Sequence, residues 1–541
     1  MQRLLLTIIC CIQALMLSAV PAKRDRYKLQ LADGSYITAT MMGDEMLHFF
    51  RTDDGRFLQC DTLGIAHYVE AHDIQDRWQA RSRRRQAARS KRQAAKGQQT
   101  QNKIVGSKRG LVILVQFTDM PFTYSNATFR SFFNEAGYTD EINIGSVRDY
   151  FLDASYGQFE FNFDVIGPVT VSQPLAYYGG NNTNGDDKHP AEMVAEAVRI
   201  IDEKIDFRKY DWDGDGEVEQ VFVIHSGYDE AQSNMRDQIW SHAWALSEAK
   251  DEGDGDGPVI TADGVTVDSY ATSSELRGRS GAALSGIGIA CHEFSHCFGL
   301  PDFYDTEGNC FGMDSWDLMD YGEYNGGGGT PAGFTSYERM FCGWLEPQEL
   351  TEPCTVQDMP ALTSEPIAYI LYNSGKSSEY YLLENRQLEG WDAELAGHGL
   401  LILHVDYDRQ AWEANTVNTI RTHQRMTIIP ADNFLSRFSM AGDTWPGTTG
   451  KTELSDTSTP AATLFNANAE GDKLMHHSFT EISETNDGHI SFIFDEEALD
   501  IAHPHSSPRK GEANAYNLRG QKVGRQYKGI IITDGKKILI Q

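Results

Sequence analysis

The chain has 541 residues and a formal net charge of −31, which is length for roughly three or four domains with a large apolar core. Surplus acid of that size repels polyphosphate, so nucleic acid is excluded as a partner class. It suits an exported protein and carboxylate-held calcium, and leaves the substrate undefined. At the N-terminus, Met1 to Ala22 has the plan of a secretory signal. Arg3 supplies the positive start, and Leu4 to Val20 is apolar but too short and wrongly flanked for a membrane span. Val20-Pro21-Ala22 offers small residues for cleavage before Lys23. No other stretch is apolar for long enough to cross a bilayer, so the expected product is secreted, extracellular or held at a bacterial cell surface. Cys10 and Cys11 leave with the signal; Cys60, Cys291, Cys297, Cys310, Cys342 and Cys354 remain, with a pairing that sequence does not fix.

From Tyr27 to about Asp76 apolar and polar residues alternate, with turns at Asp33-Gly34, Asp54-Gly55 and Leu63-Gly64, which predicts a small β-rich unit of hairpins. A basic run without acids follows: Arg77, Arg81, Arg83, Arg84, Arg85, Arg89, Lys91, Arg92 and Lys96. As a solvated helix it is ordinary. As a connector behind a pro-segment it offers an activating protease its basic cut sites. Cys60 has two readings, a packed strand thiol and a thiolate that caps a metal in a latent form.

From Arg109 the composition turns globular. Leu111 to Phe117 and Val221 to Ile224 are continuous apolar runs, hence strands buried on both faces. Ser146 to Gly157 reads as a helix closed by glycine, Phe159 to Thr170 as strands, and His189 to Lys204 carries apolar residues at helical spacing. This alternation indicates an α/β lobe. Asp211, Asp213, Asp215 and Glu219 surround Gly214 and Gly216 before the second buried strand. Alternate carboxylates about a glycine bend are how a calcium cage is built, although the twelfth position is Phe222 and not a bidentate Glu. The other reading is an acidic turn. His225 and His242 are expected in the core or behind a site.

Next comes GIGIACHEFSHCFGLPDFYD, Gly286 to Asp305, with His292, Glu293 and His296 in the order H-E-x-x-H. On a helix, positions i and i+4 share a face, so two imidazoles aim at one point and suit a tetrahedral zinc site. Glu293 is next to that face, placed to take a proton from a metal-activated water. Gly299 lets the chain leave the helix and turn back, and Asp302 is where it supplies a third ligand. This extends the zincin pattern in the metzincin manner, with Asp in place of the third His. Metzincins carry a tight turn whose methionine is an apolar floor under the metal, and in several a tyrosine two residues on reaches the metal or the oxyanion; in Trp316 to Tyr321, Met319 and Tyr321 resemble that spacing. Gly326 to Gly329 is expected as a flexible loop that borders the cleft or connects, before a helix from Thr335 to Met340. Thr355 to about Asp495 is β-rich, read as a sandwich, with His398 and His404 in core or turn positions. After Ala502 come a linker and two strands about Asp534-Gly535, read as a last hairpin or a surface-sorting tail.

The segments SVRDYFLDASYGQFEFNFDVIGPV, YDWDGDGEVEQVFVIHSGYDEA, HEFSHCFGLPDFYD, WDLMDYG, PAGFTSYERMFCGWLEP and EYYLLENRQLEGWDAELAGHGLLILHVD resemble the immune inhibitor A family of secreted zinc metalloproteases. The resemblance runs from about Arg109 to Asp406. It implies a zinc endopeptidase made with a signal and a pro-segment, acting on proteins or peptides. His292 and His296 then match the ligand pair and Glu293 the general base; for the third ligand the motif points to Asp302, with Asp305 as competitor. The expected fold is α+β and multidomain: signal 1–22, pro-segment and basic linker 23–108, metzincin-like catalytic domain 109–350, β-sandwich 351–500, and linker and tail 501–541. The competing reading is an adhesin or sugar-binding protein on a silent protease scaffold, which intact His292, Glu293 and His296 oppose.

Overall fold

The computed structural model describes residues 20–45, 47–61, 63–81, 83, 103–182, 185–252, 259–305 and 310–495, and strands at 516–517, 529–533 and 536–540. At the N-terminal end β1 (Arg26–Leu31), β2 (Tyr36–Gly43), β3 (His48–Thr52), β4 (Phe57–Cys60) and β5 (Ile65–Val69) close into a barrel in sequence order. Neighbours are antiparallel except β1 with β5, where Gln30 faces Ile65. Gly34, Gly55 and Gly64 take positive φ at the three expected turns. Residues 1–19 of the expected signal lie outside the described residues. Val20 and Ala22 are fully buried: the Val20 carbonyl accepts Trp240 Nε1–H at 2.9 Å and Ala22 N–H donates to Gly43 O at 2.8 Å. The basic run starts as a docked helix, α1, over residues 71–81. Arg77 donates to Gln59 Oε1, and Arg81 pairs with Asp186 at 2.6 Å. Arg84 to Lys96 lie outside the described residues.

The central lobe is built on β6 (Gly106–Gln116), β7 (Phe159–Thr170), β8 (Val221–Tyr228), β9 (His242–Ala245) and β12 (Ser269–Leu276), with β10 (Ile260–Ala262) and β11 (Val265–Val267) as a separate pair. The order is β7-β6-β8-β12-β9, parallel except for the β9 edge. Strand periodicity divides β6 between two cores. Val112 and Leu114 join one with Tyr150 and Phe294, while Leu111, Ile113 and Val115 join the other with Met193 and Val198. Helices cover both faces, which is why Leu111 to Val115 is apolar throughout. They are α2 (Asn126–Asn134), α3 (Val147–Ala154), α4 (Leu175–Tyr178), α5 (Pro190–Ile201), α7 (Leu246–Glu252), α8 (Gly288–Ser295) and α9 (Ser336–Cys342), while the short α6 (Glu230–Ser233) packs through Ala231 with the barrel. A capping box of Ser146 and Asp149 starts α3, and one of Thr335 and Glu338 starts α9.

The C-terminal unit has a five-stranded sheet, β13 (Gln348–Glu349), β15 (Tyr369–Asn373), β16 (Lys376–Arg386), β17 (Gly399–Asp406) and β18 (Met426–Ile428), followed in space by a three-stranded one, β14 (Cys354–Met359), β20 (Ile490–Phe494) and β19 (Phe479–Glu484). A short helix, α10 (Arg409–Glu413), follows β17. One face of the larger sheet, with Tyr381, Leu383, Leu400 and Ile402, shares a core with Phe479 and Phe492. The other face, with Leu382, Leu401, Leu403 and Val405, joins the central core beside Trp316, Phe334 and Tyr337. The chain is thus α+β, with the C-terminal sheet packed directly under the central lobe. In the tail, β21 (Tyr516–Asn517), β22 (Gly529–Thr533) and β23 (Lys536–Ile540) form a small antiparallel sheet. All six described cysteines are free thiols.

Candidate metal centre

His292 and Glu293 lie on α8, but the helix is shorter than the motif suggests. It ends at Ser295, His296 opens a 3-10 turn, and Gly299 at φ +92° reverses the chain. The start of α8 is held by close backbone approach: a Cβ on Gly288 would stand 1.9 Å from Glu323 O. The residues from Tyr321 to Gly328 therefore pack on α8, and Gly328 and Gly329 are buried there.

Both imidazoles are oriented by carbonyls. His292 Nδ1 lies 2.8 Å from Leu318 O and His296 Nδ1 lies 2.7 Å from Leu300 O. A carbonyl only accepts, so each Nδ1 carries a proton, which leaves Nε2 as the atom that can offer a lone pair to a metal. Those two Nε2 atoms stand 3.2 Å and 3.7 Å from Asp302 Oδ1. Ligand atoms of His292, His296 and Asp302 all lie within 4.8 Å of one another, and all three side chains are buried. Asp305 takes no part in this group; its Oδ2 accepts Cys310 N–H at 2.9 Å.

Two imidazole nitrogens and one carboxylate oxygen at one buried point fit zinc. His292 Nε2 and both Glu293 carboxylate oxygens are buried with no hydrogen-bond partner among the described residues, an arrangement that is costly unless a ligand completes it. The local field favours a cation. Burial works against a charged His292, yet Glu323, Asp302 and Glu293 outweigh it and lift its pKa to about 10. Burial drives the Glu293 carboxyl well above the ordinary range.

Leu318 and Met319 form the turn beneath the histidines. Asp317 Oδ1 accepts Met319 N–H at 2.7 Å, Met319 O accepts Phe303 N–H at 2.7 Å, and the Met319 side chain is fully buried. Trp316 Nε1–H, just before the turn, donates to Asp443 Oδ2 of the C-terminal unit at 2.8 Å. Glu323 is a neighbour that the sequence reading missed: its Oε2 lies 3.6 Å from His292 Nδ1, and burial pushes its carboxyl up to about 8. Its one signal is closeness to Tyr321. The Tyr321 ring carries the Arg24 guanidinium 3.5 Å above its centre, and Arg24 pairs with Asp314 at 2.6 Å. Tyr321 is thus engaged by the N-terminal segment, with its hydroxyl pushed up to about 12, chiefly by burial.

Cys60 stands elsewhere, beside His48, Gln59, Arg77, Asn234 and Arg236, with burial raising its thiol to about 11. The packed reading describes it and the capping reading does not. His225 is fully buried against Phe117, and His242 lies between Trp240 O and Tyr270 Oη. Both are core histidines. His404 is a buried partner of Glu379, and the half-exposed His398 faces Glu484. In the acidic loop Asp211, Asp213 and Glu219 share one point, whereas Asp215 is outside that group and accepts Glu217 N–H. Glu219 Oε1 and Oε2 also accept Trp212 N–H, and burial lifts its carboxyl to about 9.

Residues 91–344, which include all of the centre, match the family described as Immune inhibitor A peptidase M6, catalytic domain. The central lobe is thus similar to the immune inhibitor A peptidase catalytic domain. The chain is 26% identical over 293 residues to the pre-pro-metalloprotease PrtV of Vibrio cholerae serotype O1, a match covering 44% of this chain and 30% of that protein. It is 25% identical over 285 residues to immune inhibitor A of Bacillus thuringiensis subsp. alesti, covering 45% and 41%. The chain therefore spans less than half the length of these curated relatives. An immune inhibitor A-type domain implies a metal, and the group formed by His292, His296 and Asp302 is compatible with one. Among the described residues no helix is long and apolar enough to cross a membrane.

Proposed function

We propose that the chain is an exported zinc endopeptidase, made as a latent precursor, with His292, His296 and Asp302 as ligands. The observation that carries this is the convergence of those three side chains beside the buried Glu293, whose carboxyl oxygens have no hydrogen-bond partner among the described residues. Zinc held by these three side chains would supply Lewis acidity, lowering the pKa of a water towards neutrality and polarising the scissile carbonyl. Glu293 takes the proton from the attacking water and returns it to the leaving amine. Tyr321 donates to the oxyanion once its hydroxyl is released. The two C-terminal sheets over one core are read as a sandwich that supports the lobe from below. Calcium between Asp211, Asp213 and Glu219 is read as a brace at the entry to β8.

Latency is supported by the N-terminal contacts. Arg24, which stays after cleavage before Lys23, covers Tyr321 and pairs with Asp314 at 2.6 Å. Cleavage in the basic stretch between Arg81 and Lys96 by an activating protease would free the barrel to leave. Replacing Arg24 with Ala removes a part-buried ion pair and a cation–π contact. It is expected to raise the residual activity of the uncleaved chain by about tenfold, read as peptide turnover before and after proteolysis. An unchanged ratio of uncleaved to cleaved activity counts against latency through Tyr321.

The deciding experiment uses an internally quenched peptide blocked at both ends. The processed protein is expected to cleave it, to lose all measurable turnover with a chelator, and to regain it with zinc. Turnover indifferent to the chelator sinks the metallopeptidase reading, and cleavage confined to peptides with a free end sinks the endopeptidase one.

A further inference from the structure

The third candidate ligand is held by a residue outside the matched domain. Asn415 Oδ1 accepts Asp302 N–H at 2.8 Å, and Asn415 Nδ2–H donates to Asp302 Oδ2 at 2.8 Å. One amide thus grips both the backbone and the carboxylate of Asp302. With Oδ2 engaged, it is Oδ1 that faces His292 and His296 Nε2.

Asn415 is itself placed rigidly. It follows the C-cap of α10 at φ +55°, a left-handed position that Asn tolerates, and its N–H donates to Trp412 O at 3.1 Å. Trp412 is fully buried beside Phe303 and Tyr337. Asn418 Nδ2–H, three residues on, donates to Phe303 O at 2.6 Å. The 415–418 segment therefore clasps the 302–303 segment at two points.

We propose that Asn415 is a positioning residue of the metal centre, restricting Asp302 to ligation through one oxygen. On this view the C-terminal unit is part of the site, and the domain that ends at residue 344 does not build a complete centre without it. The inference rests on zinc binding at His292, His296 and Asp302. Hydrogen bonds to a ligating carboxylate fix its orientation, and losing one weakens metal affinity by about 10–100-fold.

The test is a zinc titration of the full chain against a competing chromogenic chelator. Glycine is favoured at a left-handed cap, so Asn415→Gly keeps the end of α10 and removes only the amide. Its zinc dissociation constant is expected to rise about 10–100-fold, with the unfolding midpoint of the metal-free chain lowered no more than in Asn418→Ala. Asn415→Ser, too short to reach both groups, carries the same expectation should the glycine variant prove insoluble. Asn418→Ala is the control, expected to lower the unfolding midpoint with less effect on zinc. Wild-type affinity in Asn415→Gly overturns the inference alone, as does equal weakening in Asn418→Ala. A wild-type chain that binds no zinc overturns the underlying reading, and the inference with it.

Discussion

Glu293→Gln is expected to lower kcat/KM on a blocked peptide by about four decades or more while the chain keeps its zinc. Four decades correspond to about 5.4 kcal/mol of lost transition-state stabilisation. The effect is large because the base and the water it activates act as one unit, so removing the base disables both. The amide is nearly isosteric with the carboxyl, and Glu293 is fully buried, so the substitution leaves no cavity and exposes no new surface. Metal should stay because the candidate ligands are His292, His296 and Asp302, each within 4.8 Å of the others without Glu293. Peptide turnover and metal analysis on one preparation separate the outcomes. Activity within about tenfold of wild type would remove Glu293 as the base, and loss of zinc would make it a ligand instead.

The centre was legible because its parts are close in sequence. His292, Glu293 and His296 lie within five positions, and Gly299 announces the reversal that brings Asp302 back. Helical period and glycine conformation were enough. The length of α8 was not legible, because contacts with Glu323 and Gly328 set how the helix starts and a 3-10 turn ends it. The partners of these residues were not legible at all. Arg24 meets Asp314 across 290 positions, and Asn415 meets Asp302 across 113. Periodicity carries no information at such separations, where topology alone decides what meets. Cys60 had two readings in the sequence, and its place in the barrel beside Gln59 and Arg236 agrees with the packed one. The buried strands were readable as strands, but the two-sided burial of β16 and β17 became plain only once the central lobe supplied the second face.

Arg386→Met is expected to destabilise the chain by about 3–5 kcal/mol, the range for breaking a buried ion pair on one side. Arg386 lies on β16 with no exposed surface. It binds Asp392 through Nε at 2.7 Å and Nη2 at 2.6 Å, and Glu384 through Nη1 at 3.0 Å. Burial alone would disfavour the charge, but Asp392 and Glu384 keep it firmly protonated. Its remaining N–H groups reach Trp316 O and Gly333 O at 3.2 Å and 3.1 Å. The two carboxylates in turn hold the backbone of the central lobe: Glu384 accepts Ser336 N–H and Asp392 accepts Gly333 N–H. One guanidinium therefore links the C-terminal sheet to the segment entering the methionine turn and to the start of α9. Methionine matches its length but leaves two buried carboxylates without a countercharge and two carbonyls without a donor. Lysine should recover only part of the loss, since a single ammonium cannot reproduce the fork. Neutralising all three, with Arg386→Met, Glu384→Gln and Asp392→Asn together, should cost less than Arg386→Met alone, because no unpaired charge then stays buried. Urea unfolding of the three variants reads these differences. A loss below about 1 kcal/mol for Arg386→Met, or a triple variant worse than the single one, would show that the network is not what joins the C-terminal unit to the floor of the metal centre.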